Sequence, residues 1–146
     1  MNKLIYFMPA LIIMIIIFLG SNDPASGEKS DFITKMIWRI IEVITGIKSD
    51  YSQEMGTSYI VRKIAHISEY ALLNISIYFG IYKNSIRKNF QRNIILAVFI
   101  SLLYSISDEF HQSFVPGRVG TYKDVLIDFS GILISSLIIK FFSKVA

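Results

Sequence analysis

The stretch IILAVFISLLYSISDEFHQSFVPGR, Ile94 to Arg118, decides how this chain must fold. Its first half, through Ile106, carries no charge and has the composition of a segment that crosses lipid. Directly behind it come Asp108, Glu109, His111, Gln112 and, after a Pro–Gly pair, Arg118. Ionisable groups at membrane depth are costly unless paired or solvated. The change from apolar to charged is therefore read as a span ending at an interface. A type II turn centred on Pro116–Gly117 then sends the chain back.

The rest of the chain agrees with that reading. Its hydrophobic fraction is 53% and its mean hydropathy +0.51, more than a soluble domain of 146 residues has interior to hide. There is no cysteine, which excludes disulfides, thiolate metal sites and a Cys nucleophile. The net charge of +4 is treated as a topology signal rather than a mark of nucleic-acid binding, and no nucleic-acid partner is expected. The expected fold is a single all-α membrane domain over residues 1–146. It has four transmembrane helices, over about 4–20, 64–82, 93–107 and 125–142, and an amphipathic helix in the first outer loop. The first segment is read as a retained anchor, with a signal peptide as the alternative.

Basic residues set the expected orientation. Lys83, Arg87, Lys88 and Arg92 join spans two and three with no acid among them, Lys3 precedes span one, and Lys140 and Lys144 close span four. The positive-inside rule then puts both termini and this link in the cytoplasm, and the loops 20–63 and 107–124 outside. In the first outer loop, Phe32, Ile33, Met36, Ile37, Ile40, Ile41, Ile44 and Ile47 recur at helical spacing opposite Lys35, Arg39 and Glu42. They predict a helix over about 31–48, with Ser30 as N-cap and Gly46 at its end. It either lies on the outer leaflet with Trp38 at the interface or packs over the mouth of the bundle.

That topology gathers the unusual residues at one depth. Arg62, Lys63, His66 and Glu69 stand at the outer end of span two. Asp108, Glu109, His111 and Gln112 stand at the end of span three, and Arg118, Lys123, Asp124 and Asp128 lead into span four. Arg62, His66 and Glu69 share a helix face, as do Asp108 with Gln112 and Asp124 with Asp128. His111 falls off the face of Asp108 and is read as a surface residue. Five acids so placed need the cations Arg62, Lys63, Arg118 and Lys123, a bound cation, or raised pKa values.

The motifs RKIAHISEYALL (Arg62–Leu73) and SISDEFHQSFVPGRVGTYKDVLIDFSGILI (Ser105–Ile134) resemble those of the VanZ-like family of small bacterial membrane proteins. The resemblance rests on three ordered patterns: Lys63–His66–Glu69–Tyr70; Asp108–Glu109–Gln112–Phe114–Pro116–Gly117–Arg118; and Asp124–Asp128–Gly131. It covers about half the chain. It implies a multi-pass protein of the bacterial plasma membrane. It also suggests a contribution to resistance against teicoplanin-type lipoglycopeptides, after which the family is named.

Three uses of the cluster stay open. In the first, Lys63, His66, Glu69, Asp108, Glu109, Gln112, Arg118, Asp124 and Asp128 line an outward polar site for an envelope amphiphile, a lipid-linked cell-wall precursor or a lipoglycopeptide. Arg118 would take the phosphate or carboxylate, and membrane lipid surrounds the whole. In the second, His66, Glu69, Asp108, Glu109 and Asp124 act as general acids and bases on a headgroup. A metal-assisted variant would use His66, Glu69, Asp108 and Asp124, with His111 as a further donor. The expectation is nevertheless no metal and no cofactor. In the third, the same groups only tie the helices together, with Glu69 paired to Arg118 or Lys63.

Overall fold

The computed structural model describes residues 3–86 and 89–145, with the side chains of Ser26, Lys144 and Val145 excepted. Arg87 and Lys88, counted above for topology, lie outside the described residues. The described chain is helical throughout, with no strand. A 3-10 turn, Lys3–Phe7, leads into α1 (Met8–Ser21), followed by α2 (Ser26–Thr45), α3 (Tyr51–Asn84), α4 (Phe90–Gln112) and α5 (Tyr122–Val145). Four stretches are long and apolar enough to cross a membrane: Lys3–Ser21, Tyr51–Asn84, Phe90–Gln112 and Tyr122–Ser143. The fold is that of a multi-pass all-α membrane protein.

Local sequence explains the boundaries. Pro9 lacks the N–H that a helix interior needs but is tolerated in the first turn, where α1 begins. Asp50 and Gln53 form a reciprocal capping box at the start of α3, and Asn89 Oδ1 accepts from Arg92 N at 3.0 Å to start α4. This box explains why α3 opens at Tyr51 rather than near residue 64. Its first turns are too polar to read as a span, yet they continue one helix of 34 residues, about 51 Å at 1.5 Å per residue. Likewise α4 does not stop at 107 but runs on to Gln112. The predicted turn follows: Arg118 N donates to Val115 O at 3.1 Å, and Gly117 takes φ +79° at the position where a type II turn requires it.

The amphipathic helix runs over Ser26–Thr45 instead of 31–48. Ser30 is not its N-cap but a buried residue inside it, because the helix already starts one turn earlier, after Ala25. Gly46 ends it in the left-handed region, φ +73°. The link 46–50 then folds α2 back on the start of α3 as a helical hairpin. Three faces result. Ser30, Thr34 and Trp38 meet α3, where Trp38 Nε1 donates to Thr57 Oγ1 at 3.1 Å and Ser58 Oγ donates to Asp31 Oδ1 at 2.5 Å. Lys35, Arg39 and Glu42 form a second face. Phe32, Ile33, Met36, Ile37, Ile40, Val43 and Ile44 form a third and stay exposed. The helix both packs on the bundle and keeps an apolar stripe.

Helix α3 touches every other helix, and α4 and α5 close against it and each other. The buried apolar residues are small in number, with Ala10 and Ile17 from α1, Tyr70, Leu73 and Ile77 from α3, Ala97 from α4 and Ile132 from α5. More polar side chains than apolar ones are buried, while large hydrophobics cover the outside. That inversion suits lipid, where apolar surface gains nothing by hiding and buried polar contacts hold helices together. Midway along the bundle, Asn74 Nδ2 donates to Ser135 Oγ (2.8 Å), Ser136 Oγ (3.0 Å) and Ile132 O (3.3 Å). Ser101 Oγ adds a bond to Asn74 Oδ1 at 3.4 Å.

One glycine sets the spacing. A Cβ on Gly131 of α5 would collide with the backbone carbonyl of Ile67 on α3, so the two helices approach as closely as they do only without one. Gly131→Ala should therefore lower stability in detergent by about 1–3 kcal/mol, the usual cost of overpacking. Gly56→Ala, on α3 with open space around it, should instead raise it by roughly 0.5–1 kcal/mol. Thermal unfolding of the two variants measures the difference. Equal effects would mean that the Gly131 contact is not what sets the helix spacing.

Candidate functional site

The antiparallel arrangement brings the end of α1, the middle of α3, the end of α4 and the start of α5 to one level. Asp108 and Glu109 lie in the last two turns of α4, where the helix dipole disfavours anions, and each is only 4% exposed. Both are held by donors. Asp108 Oδ2 accepts from Ser21 Oγ (2.8 Å), Tyr70 Oη (3.1 Å) and Gln112 Nε2 (2.9 Å). Glu109 Oε2 accepts from the backbone N–H of Thr121 at 2.9 Å, and its Oε1 from Gln112 Nε2 at 3.3 Å. Gly120, just before Thr121, permits this, because a Cβ there would strike the carbonyl of Glu109.

Asp128 is fully buried on α5. Its Oδ2 accepts from Ser105 Oγ at 2.7 Å. Its Oδ1 lies 3.2 Å from His66 Nδ1, yet both atoms are without a hydrogen-bond partner. The pair is in ion-pair contact when His66 is protonated, but its geometry is poor for a hydrogen bond. This meeting follows from the spacing of the two helices: Gly131 sits one turn beyond Asp128, and Ile67 is next to His66.

Cations rim the cluster. Lys63 closes on Asp124, and both side chains are mostly buried. Asp124 also accepts from Thr121 Oγ1 at 3.1 Å, which ties the pair to the start of α5. Of the two partners considered for Glu69, Lys63 is taken by Asp124 because residue 63 faces α5, while Arg118 shares with Glu69 the cleft toward α1 and α2. Arg118 donates from Nη2 to Gln112 Oε1 at 3.0 Å, which couples the Pro–Gly turn to the Asp108 bonds. A cleft of about 220 Å³ runs between α1, α2 and α3, lined by Ile17, Ile33, Arg62, His66, Glu69 and Arg118 among others. A second, of about 190 Å³, is lined by Arg62, Lys63, His66, Gln112, Arg118 and Asp124 with their neighbours. Asp23 and Lys29 form an exposed pair, 2.5 Å apart, at the rim of the first. The hydrogen bond from Lys29 and that from the Ala25 N–H hold the Asp23 carboxyl below the usual carboxylate range.

All nine residues read from the sequence as a binding site thus lie at this level; seven fall in three groups, while Arg118 joins Gln112 from the turn and Glu69 lines the cleft. Asp108 and Gln112 form a hydrogen-bonded knot, Lys63 and Asp124 an ion pair, and His66, Glu109 and Asp128 approach one another with donor atoms within 4.8 Å. The acids that reach His66 as a group are therefore Glu109 and Asp128, rather than the Glu69, Asp108 and Asp124 considered as metal ligands. Asp108 and Asp124 are taken up by other donors. His111 stands apart, stacked on Phe18 of α1 with ring centroids 5.0 Å apart. Sequence reasoning missed Ser21, Tyr70, Ser105 and the Thr121 N–H as the donors that hold the acids. Ser105 and Tyr70 carried a usable signal, one helical turn from Asp108 and from His66 respectively. Ser21 and a backbone N–H carried none.

The fold and this cluster define a small multi-pass membrane protein with a charged site built from three of its spans and closed by a fourth. A family model described as VanZ/LLP1 matches residues 6–143, nearly the whole chain, and the protein belongs to that family. The match takes in α1 and the amphipathic helix, which the recognised motifs had left out. No curated protein and no solved structure gives a significant match.

The Asp108 knot makes a direct prediction. Tyr70→Phe keeps the ring in place and removes one donor to a buried carboxylate. It should cost about 1.5–3 kcal/mol, the range for hydrogen bonds to charged groups. Combined with Asp108→Ala, which removes the acceptor, the two losses should fall well short of additive, because the variants delete the same bond. Equilibrium unfolding of the single and double variants in detergent checks both statements.

Proposed function

We propose that this chain sits in a bacterial plasma membrane with both termini cytoplasmic, and that its polar site faces outward and binds the anionic headgroup of an envelope amphiphile. The observation that carries the reading is the convergence of Arg62 and Arg118 on both clefts at the level of the buried cluster. Arg62 is exposed and available to a ligand. Arg118 offers a planar fork suited to phosphate or carboxylate. Ile17, Ile33 and Val61 on the wall of the larger cleft supply apolar surface for the first part of a tail. Candidate ligands are a lipid-linked cell-wall precursor and a lipoglycopeptide. A contribution to teicoplanin-type resistance would follow if this binding removed the drug or its target from the site of action.

Arg62→Ala and Arg118→Ala, in protein reconstituted in lipid nanodiscs, should each weaken binding of a fluorescent lipoglycopeptide or a polyisoprenyl-diphosphate precursor by about tenfold or more. That is the loss expected for one charged hydrogen bond. Variants that insert normally and bind both probes as well as the parent would sink the reading. Orientation has a separate test, made clean by the absence of cysteine. Val119→Cys should react with a membrane-impermeant maleimide on intact cells, and Ile86→Cys only after permeabilisation. Both positions are highly exposed, at 77% and 94%. The reverse pattern would turn the site to the cytoplasm.

A further inference from the structure

Apart from the exposed Lys123, the site holds two more carboxylates than cations. Glu69, Asp108, Glu109, Asp124 and Asp128 stand against Arg62, Lys63 and Arg118. Donors account for Asp108, and Lys63 accounts for Asp124. Asp128 is different. It is fully buried, its Oδ1 has no hydrogen-bond partner, and the atom it faces, His66 Nδ1, is equally without one. A buried carboxylate oxygen whose only contact is a poorly directed imidazole nitrogen is expensive.

We propose that His66, Glu109 and Asp128 form a binding site for one divalent transition-metal ion. The first support is geometric. Metal–nitrogen and metal–oxygen bonds of about 2.1 Å, at tetrahedral to octahedral angles, put neighbouring donor atoms roughly 3.0–3.4 Å apart. The His66 Nδ1–Asp128 Oδ1 separation of 3.2 Å falls in that range, whereas the same contact fails as a hydrogen bond. A metal lying between the two atoms satisfies both orphans at once. Glu109 offers a third donor atom within 4.8 Å of the other two, so a small side-chain rotation brings it into reach.

The second support is the outer ring of contacts. Asp128 keeps one oxygen fixed by Ser105 Oγ, and Glu109 has Oε2 fixed by the Thr121 N–H while its Oε1 has only the longer 3.3 Å contact with Gln112 Nε2. That arrangement orients metal-binding carboxylates in general. The ligand set, one imidazole and two carboxylates, suits Zn²⁺ or Mn²⁺ better than Ca²⁺ or Mg²⁺. Three protein ligands leave coordination positions open. His66 lines both clefts, so an open position there is within reach of a ligand. The metal site stands apart from the amphiphile reading, because its ligands and its test involve no lipid.

The full chain, purified in detergent and stripped with a chelator, is titrated with Mn²⁺ and followed by electron paramagnetic resonance, with Zn²⁺ as competitor. The expected result is one equivalent bound, displaced by Zn²⁺, with nitrogen modulation of the Mn²⁺ signal from an imidazole ligand. His66→Ala and Asp128→Asn should weaken binding at least tenfold to a hundredfold, the range for disturbed metal spheres. Glu42→Gln, an exposed carboxylate on α2 outside the cluster, should keep parental affinity. Failure of the parent chain to bind either metal stoichiometrically overturns the proposal, and so does a bound Mn²⁺ without nitrogen coupling. Those two readouts need no variant, so a substitution that fails to insert does not rescue the idea. A chain that binds metal but no amphiphile would overturn only the proposed function.

Discussion

How closely α5 can lie against α3 governs the polar end of this protein. The missing side chain at Gly131 brings the α5 backbone onto the carbonyl of Ile67. One turn earlier that approach pushes Asp128 against His66, and two turns earlier it brings Asp124 within reach of Lys63. The spacing between Asp124, Asp128 and Gly131 is thus a geometric requirement. The glycine fixes the distance between helices and the two acids occupy the space that this distance defines. Gly120 does the same for the return loop, letting the Thr121 N–H reach Glu109.

Two kinds of polar contact hold the bundle, and they differ in what they need. The middle of the bundle is stitched by Asn74, Ser101, Ser135 and Ser136, all neutral and mutually satisfied. Such contacts suffice to join helices in lipid. The end cluster uses ionised groups, puts two acids at the unfavourable end of α4, and leaves Asp128 Oδ1 and His66 Nδ1 unpaired. A purely structural role would be served better by repeating the neutral pattern. The two sets thus differ in charge and in their position along the bundle.

Much of this was legible in the sequence. Uncharged runs marked the spans, Gly46 and Pro116–Gly117 marked turns, and helical spacing put Asp108 with Gln112 and Asp124 with Asp128. What stayed hidden has physical reasons. The first turns of α3 are polar because they bind α2, so hydropathy failed where a capping box at Asp50 decided. Ser30 has the chemistry of a cap, but the helix had already begun, and the residue is buried within it instead. The partners of Lys63 and Glu69 depended on rotation of α3 about its axis, which periodicity fixes only relative to neighbours on the same helix. Donors such as Ser21 and the Thr121 N–H came from remote parts of the chain and left no local mark.

The hairpin of α2 and the start of α3 has one more consequence. At about 51 Å, α3 is far longer than the roughly 30 Å of hydrocarbon it would cross upright, and α2 carries its apolar stripe beside the surplus. The polar first turns of α3 would stand beyond the hydrocarbon, and α2, folded back on them, would lay its stripe along the headgroup layer like an outrigger. The larger cleft lies at the root of that outrigger, between α1, α2 and α3. Its mouth would then open sideways into the leaflet, and a molecule anchored by an acyl chain could enter by lateral diffusion without first passing into water.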